Sequence, residues 1–291
     1  MRPADPAARA AALVGIALMT GGIFLFAVND VLGKWLVATY SVGQVLLLRS
    51  LAALAVLAVL MRAEGLRPFR AAPRPGLQCL RVVFSTLEVA CFYWAVAYLP
   101  LADVMTYYLA GPLYVAALAA LILGERIDRA RWLCIGAGFV GVVVALDPSG
   151  AALGWPALVA LAGSLCFALL MVTTRVLRGT PDGVLVAGQT LGALGLGAVL
   201  SPFGWVAPSA LDTALLALLG VVAMTAHMAV NRSLKVAPAS VVVPFQYTLI
   251  VWAVVLGFLV FGDMPRPSML AGAAIIVAAG LALLWRERRA A

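Results

Sequence analysis

Two ionisable side chains lie near the middle of long apolar runs. Glu88 falls within the run Leu77 to Tyr98, and His227, the single histidine, within Leu211 to Leu234. A charged group that cannot reach water inside a membrane span costs about 2.5–3.5 kcal/mol or more, so each such residue is a functional candidate. Carboxylates and imidazoles are also the groups that proteins use to take up and release protons. Two readings stand for each. Glu88 either holds helices together through an ion pair or hydrogen bond, or is a protonatable group that senses cargo or couples its transport to protons. His227 is either a hydrogen-bonded packing residue or a proton carrier, with Asn231 four residues further along the same helix face as a cavity partner.

Asn29 is a further cavity candidate near the end of the first apolar run, beside Asp30 and Lys34. At about 1.5 Å per residue, Asp30 and Arg49 come to similar depths in consecutive helices, so they read as a structural ion pair. An arginine fork also suits a substrate carboxylate. Tyr107 and Tyr108, with Phe245, Gln246 and Tyr247, form an aromatic wall for a flat or apolar cargo, or pack helices together. Pro112 and Pro244 break backbone bonds within apolar runs and mark a hinge or a carbonyl-lined gap.

Catalytic constellations are missing. There is no HExxH, no GxSxG and no P-loop, and the four cysteines Cys79, Cys91, Cys134 and Cys166 are spaced for neither a disulfide framework nor a metal site. Gly136, Gly138 and Gly141 spell GxGxxG inside an apolar run with no strand before it, so they read as helix packing. Gly188 and Gly192 read the same way, between the halves or between subunits. No catalytic residue, metal or cofactor is expected.

These side chains need helices to hold them at depth. With 65% hydrophobic and 11% charged residues among 291, the chain departs far from the roughly 25% charge of soluble domains. Ten apolar runs recur at about 13–36, 42–61, 77–98, 102–123, 130–147, 154–177, 183–203, 211–234, 239–261 and 268–285. Each is long enough to cross a hydrocarbon core as a helix. If the N-terminus is cytoplasmic, every one of the 20 basic residues except Lys34, Arg49 and Arg266 falls on the cytoplasmic side. That bias predicts both termini inside and supports the count of ten. It also accounts for the net charge of +8 without a nucleic-acid partner.

The chain also matches itself. At one constant offset Pro100 falls on Pro238, and Gly124-Glu125 on Gly262-Asp263. With small shifts, Gly22, Phe26, Ala27 and Lys34 fall on Gly163, Phe167, Ala168 and Arg175, and Gly43-Gln44 on Gly188-Gln189. Glu88 and His227 come within one residue of each other, whereas Pro112 meets Ile250 and Pro244 meets Thr106, so the kinks are expected at different depths. Five spans per copy make the copies antiparallel, as in transporters that rock about a midplane site. The expected fold is an all-α integral membrane protein of ten transmembrane helices, arranged as two inverted five-helix repeats over 13–147 and 154–285.

Ten helices in two such halves, with Leu99 to Asp103 and Ala237 to Ser240 opening the fourth helix of each and Gly124-Glu125 or Gly262-Asp263 closing it, resemble the drug/metabolite transporter superfamily. Within it the chain looks like an EamA-type exporter, most like the YddG aromatic amino acid exporters, over about Leu13 to Trp285. Asp263 in place of glutamate, followed by Pro265 and Pro267, departs from the usual pattern. The resemblance implies export of amino acids or similar small metabolites across the inner membrane by alternating access. It also implies a central cavity lined by helices one, three, four, six, eight and nine. The lipid bilayer and a small-molecule substrate are the expected partners, and a monomer is allowed. A membrane enzyme acting on lipid-linked substrates would need a cluster of reactive groups at one interface, and a channel would need charge rings or filter loops.

Overall fold

The computed structural model describes residues 6–62, 72–111, 113–115, 117–118, 129–146, 154–177, 179–237 and 242–290. Among the described residues the chain is helical throughout: α1 Pro6–Val37, α2 Val42–Leu60, α3 Pro75–Val96, α4 Leu101–Leu109, α5 Arg129–Leu146, α6 Trp155–Val176, α7 Asp182–Leu200, α8 Ala210–Val236, α9 Thr248–Phe261 and α10 Pro267–Ala290. Each of the ten apolar runs carries one of these helices. Six of them contain stretches long and apolar enough to cross a membrane: Ala10–Val37, Val42–Leu60, Pro75–Val96, Trp155–Thr174, Asp182–Leu200 and Ala210–Ser233. Trp132–Ala145, Phe245–Phe261 and Pro267–Ala282 are shorter apolar helices. The fourth run is helical at 111, 113–115 and 117–118 as well as in α4. Pro112, Gly124-Glu125 and the 238–240 turn lie outside the described residues.

Local sequence sets the helix ends. Ser41 caps α2, accepting the Gln44 amide at 3.3 Å, and Ser209 caps α8, accepting the Asp212 amide at 3.1 Å; each satisfies a donor that the first turn leaves free. Pro75 and Pro156 occupy first-turn positions of α3 and α6, where a missing N–H costs nothing. Pro244 falls in a short 3₁₀ stretch, Val243–Tyr247, so the ninth span begins with a tighter turn before α9 takes over. Gly262 ends α9 at φ 70°, a left-handed conformation that glycine adopts without Cβ strain. The Asp263 amide then bonds back to the Gly257 carbonyl at 3.3 Å.

The most extensive pairings join one of the first five helices to one of the last five. They come in exchange-related sets: α1 with α8 and α3 with α6, α2 with α8 and α7 with α3, α1 with α9 and α6 with α4, and α2 with α7 and α5 with α10 as self-matched pairs. Close approach relies on small residues, as expected where lipid rather than water surrounds helices. A Cβ on Gly197 would meet the Leu47 amide of α2 at 2.5 Å, and one on Gly141 would meet Ile276 of α10 at 2.8 Å. Gly192 faces Val82 and Thr86 of α3, so the Gly188–Gly192 stripe packs within the chain. The outer surface carries the large apolar side chains, among them Leu133, Val59, Leu259 and Phe203, whereas Gln44, Ser50, Arg81, Ser164 and Ser233 are buried. Apolar outside and polar inside is the polarity of a protein solvated by lipid.

Candidate functional site

A cavity of about 70 Å³ lies among α2, α3, α6, α7 and α8. Arg49 and Ser50 come from α2, Ser85 and Glu88 from α3, Gln189 and Thr190 from α7, and His227 from α8. Ala53, Val89, Leu170, Val186, Ala193 and Met224 supply an apolar remainder. Both midspan ionisable residues singled out in the sequence therefore meet in one space, with Arg49 beside them. Helices α1, α4 and α9 do not line it, contrary to expectation. Instead α1 packs most extensively on α8, behind the cavity wall, with Phe26 against His227, while α9 packs against α1 and α4.

Arg49 does not pair with Asp30, which corrects the sequence expectation. Its Nη1 donates to the Tyr93 hydroxyl, and its guanidinium stands 5.3 Å from that ring's centre. The reason is positional: Tyr93 of α3 is fully buried, lies against Gly33 of α1 and takes the fork first. Asp30 accepts from Asn29 Nδ2 at 3.0 Å. Glu88 is within electrostatic reach of both Asp30 and Arg49, and among the described residues no ion pair joins Arg49 to either carboxyl group.

His227 directs Nδ1 at the Ala223 carbonyl, 2.8 Å away, and its ring meets Phe26 edge to face at 4.7 Å. A carbonyl can only accept, so Nδ1 carries the proton and a neutral ring leaves Nε2 with a lone pair. α2 reaches this region because Gly220 of α8 has no side chain; a Cβ there would collide with the Arg49 carbonyl.

The remaining sequence candidates do not line this cavity. Tyr108 stands behind it, its hydroxyl donating to the Glu88 carbonyl at 3.4 Å and its ring against Phe92 and Phe167. Tyr107 is buried in the main core, and Tyr247 is buried with its hydroxyl against Gly280 of α10. Asn29 is buried beside Asp30, while Asn231 and Gln246 are half-buried and away from the lining. The aromatic residues thus form packing behind the cavity rather than its wall.

Polar contacts join the helices at both ends of the bundle. At one end Lys34 Nζ lies 2.5 Å from Asp263 Oδ2, and Arg266 Nη2 lies 2.8 Å from Asp103 Oδ2, tying α1, α4, α9 and α10 together. At the same end Gln44 binds both backbone groups of Val206, at 2.6 and 3.0 Å, and the Tyr40 hydroxyl donates to Asp212 at 2.6 Å. That bond raises the Tyr40 pKa above its ordinary value, because ionisation would lose the donated proton and set a phenolate beside a carboxylate. At the other end Gln78 donates to Thr180 at 2.9 Å, and Arg81 reaches α6 and α7.

Arg81 is the residue sequence reasoning missed, because it was counted with the basic residues of the loops. It lies within α3 and is only 5% exposed. Its spacing with Ser85 and Glu88, four and then three residues, is the helical stripe that could have revealed it.

A model of the EamA-like transporter family matches residues 13–146 and again 154–285. The chain belongs to the EamA-like transporter family. A pseudopaline exporter of Pseudomonas aeruginosa is 29% identical over 276 residues, covering 92% of this chain and 95% of that one. A riboflavin transporter of Rhizobium johnstonii is 29% identical over 217 residues, 74% and 72% of the two chains. An S-adenosylmethionine uptake transporter of Rickettsia conorii is 24% identical over 280 residues, 96% and 95%. A solved crystal structure 20% identical in sequence superposes with a TM-score of 0.62 over 97% of this chain and 99% of that one, which establishes a shared fold. As a member of the EamA-like family, this is a multi-pass membrane protein among transporters of small molecules. Its relatives are named for both export and uptake.

Proposed function

We propose that this chain is a secondary transporter that exports amino acids, aromatic or otherwise apolar ones foremost, or similar small metabolites from the cytoplasm by alternating access. Its setting is the inner membrane, with both termini cytoplasmic and two inverted five-helix halves at 13–147 and 154–285. The observation that carries this reading is the cavity between the first five and last five helices, in which Arg49, Glu88 and His227 meet. At about 70 Å³ it has room for a few waters, whereas sites for small molecules run to about 300–1,000 Å³. Cargo of that size would need the surrounding helices to part.

The exchange-related helix pairings and the twofold match to one family model support an internal repeat. In this orientation Lys34, Asp103, Asp263 and Arg266 close the outer end, and Gln78 and Arg81 the inner one. Glu88 and His227 are the proposed proton-responsive groups, Arg49 and Asp30 their electrostatic partners, and Pro244 a hinge at the entry of α9.

Counterflow of labelled amino acids into proteoliposomes holding the purified full chain, with and without a proton gradient, tests the reading. Accumulation of phenylalanine or another apolar amino acid is expected. Failure of every amino acid to exchange would overturn the cargo class.

A further inference from the structure

Arg81 is a buried cation whose described partners are all neutral. Its Nε donates to Thr174 Oγ1 at 2.8 Å, Nη1 to the Leu185 carbonyl at 3.0 Å and Nη2 to Gln189 Oε1 at 3.2 Å. Among the described residues no carboxylate pairs with it. Arg49 differs in having Glu88 within electrostatic reach, besides the Tyr93 hydroxyl and ring. An unopposed guanidinium roughly 9 Å inside a helix that begins at Pro75 is costly, because dipoles repay only part of its lost hydration.

Its position adds a purpose to that cost. Gln189 both accepts from Arg81 and lines the cavity, and Arg81 is within electrostatic reach of His227 on the cavity's far wall. Ser85, one turn along α3 from Arg81, also lines the cavity. The guanidinium thus lies outside the lining but holds a side chain that belongs to it, Gln189. The bond to Gln189 is the longest of the three and joins a charge to a neutral oxygen. A carboxylate arriving in the cavity would displace that oxygen, since charge-assisted bonds to guanidinium are shorter and about twice as strong as neutral ones.

Resting on the transport reading above, we infer that Arg81, gated by Gln189, is an anion-binding subsite that takes the carboxylate of the cargo. The substrate class is then an acid with one carboxylate and an apolar body, the latter facing Ala53, Val89, Leu170 and Met224. Because Arg81 holds α3 of the first five helices to α6 and α7 of the last five, occupation of the subsite would also loosen a contact that closes this end.

The test is thermal unfolding of the purified full chain in a zwitterionic detergent with three probes: phenylalanine, 3-phenylpropionate, which lacks the amine, and 2-phenylethylamine, which lacks the carboxylate. The two carboxylates are expected to raise the unfolding midpoint at concentrations at least tenfold lower than the amine. Gln189→Glu places an internal carboxylate on Arg81. It is expected to unfold at or above the wild-type midpoint while losing both carboxylate shifts, a combination that a merely structural arginine would not give. Arg81→Lys keeps the charge without the fork and is expected to weaken the carboxylate probes about tenfold. Equal shifts from amine and acids, no shift from any probe, or full shifts in Gln189→Glu would overturn the subsite. A shift produced by phosphatidylglycerol alone would assign the anion to a lipid headgroup and overturn it too. Equal counterflow of phenylalanine and 2-phenylethylamine by the wild type would remove the subsite yet leave the transport reading standing.

Discussion

Nζ of Lys34 stands 2.5 Å from Oδ2 of Asp263, joining the last turn of α1 to the second residue beyond α9. The glycine before it makes the pair: at φ 70° Gly262 turns the chain back so that Asp263 faces α1 rather than continuing along the helix axis. Lys34 also lies 4.7 Å from the centre of the Phe261 ring, which fixes the ammonium from a second side. With Arg266 on Asp103, four helices are drawn together at one end.

Removing that pair should loosen this end. The side chains are 15% and 25% exposed, so the loss from Lys34→Met lies between the roughly 1 kcal/mol of an exposed pair and the several of a buried one. On a background with Cys79, Cys91, Cys134 and Cys166 replaced by serine, a cysteine at cavity-lining Ser50 should react faster with a membrane-impermeant maleimide in Lys34→Met. The charge-reversed double variant, Lys34→Asp with Asp263→Lys, should return the rate toward the parent. An unchanged rate in Lys34→Met would show that the pair does not hold this end closed.

Glu88→Gln and His227→Ala should each lower transport at least tenfold while leaving insertion and yield near wild type. Both residues face the cavity, and neither substitution introduces a new charge. Loss of the His227 ring against Phe26 adds a modest packing cost of about 1 kcal/mol. Full transport by both purified variants in liposomes would remove the roles assigned to them.

Much of this architecture could be read in the sequence because lipid imposes a simple rule: a helix that crosses it is about twenty apolar residues long. Hence each of the ten runs carries a helix, six of them long enough to cross a membrane, and Glu88 and His227 stand out by their cost. The site partners were harder. Asp30 and Arg49 share a depth, but depth says nothing about azimuth, and α3 places Tyr93 on the guanidinium. Tyr107 and Tyr247 have the residue types of a binding wall, yet they pack into α4, α9 and α10, because an aromatic ring serves a core as well as a cavity. Arg81 is hidden by its charge, which a topology count assigns to a loop; its helical spacing with Ser85 and Glu88 hints at a buried role, and the three neutral acceptors around it show one.

Gly220→Ala should lower the unfolding midpoint of the purified chain, at a cost of about 1–3 kcal/mol, since the added methyl meets the backbone carbonyl of Arg49 rather than a flexible side chain. Gly195→Ala on α7 is the matched control: nothing lies within 4 Å of its Cβ, and alanine favours the helix by up to about 1 kcal/mol. Equal destabilisation by the two would mean that the α2–α8 approach is not limited by Gly220.

Single cysteines introduced near the two chain ends of the same cysteine-free background should both be shielded from an impermeant reagent in intact cells and both react after permeabilisation. Reaction of one end only in intact cells would contradict the ten-span inverted arrangement, because ten crossings return the chain to the side on which it began.

Alternating access through the Lys34 end is tested most directly by locking it. In the cysteine-free chain carrying Lys34→Cys and Asp263→Cys, a short reducible bismaleimide should bridge α1 to the end of α9, stop phenylalanine counterflow in proteoliposomes, and release it on reduction. Counterflow that continues at the uncrosslinked rate with bridging complete would contradict a transport path that opens at this end.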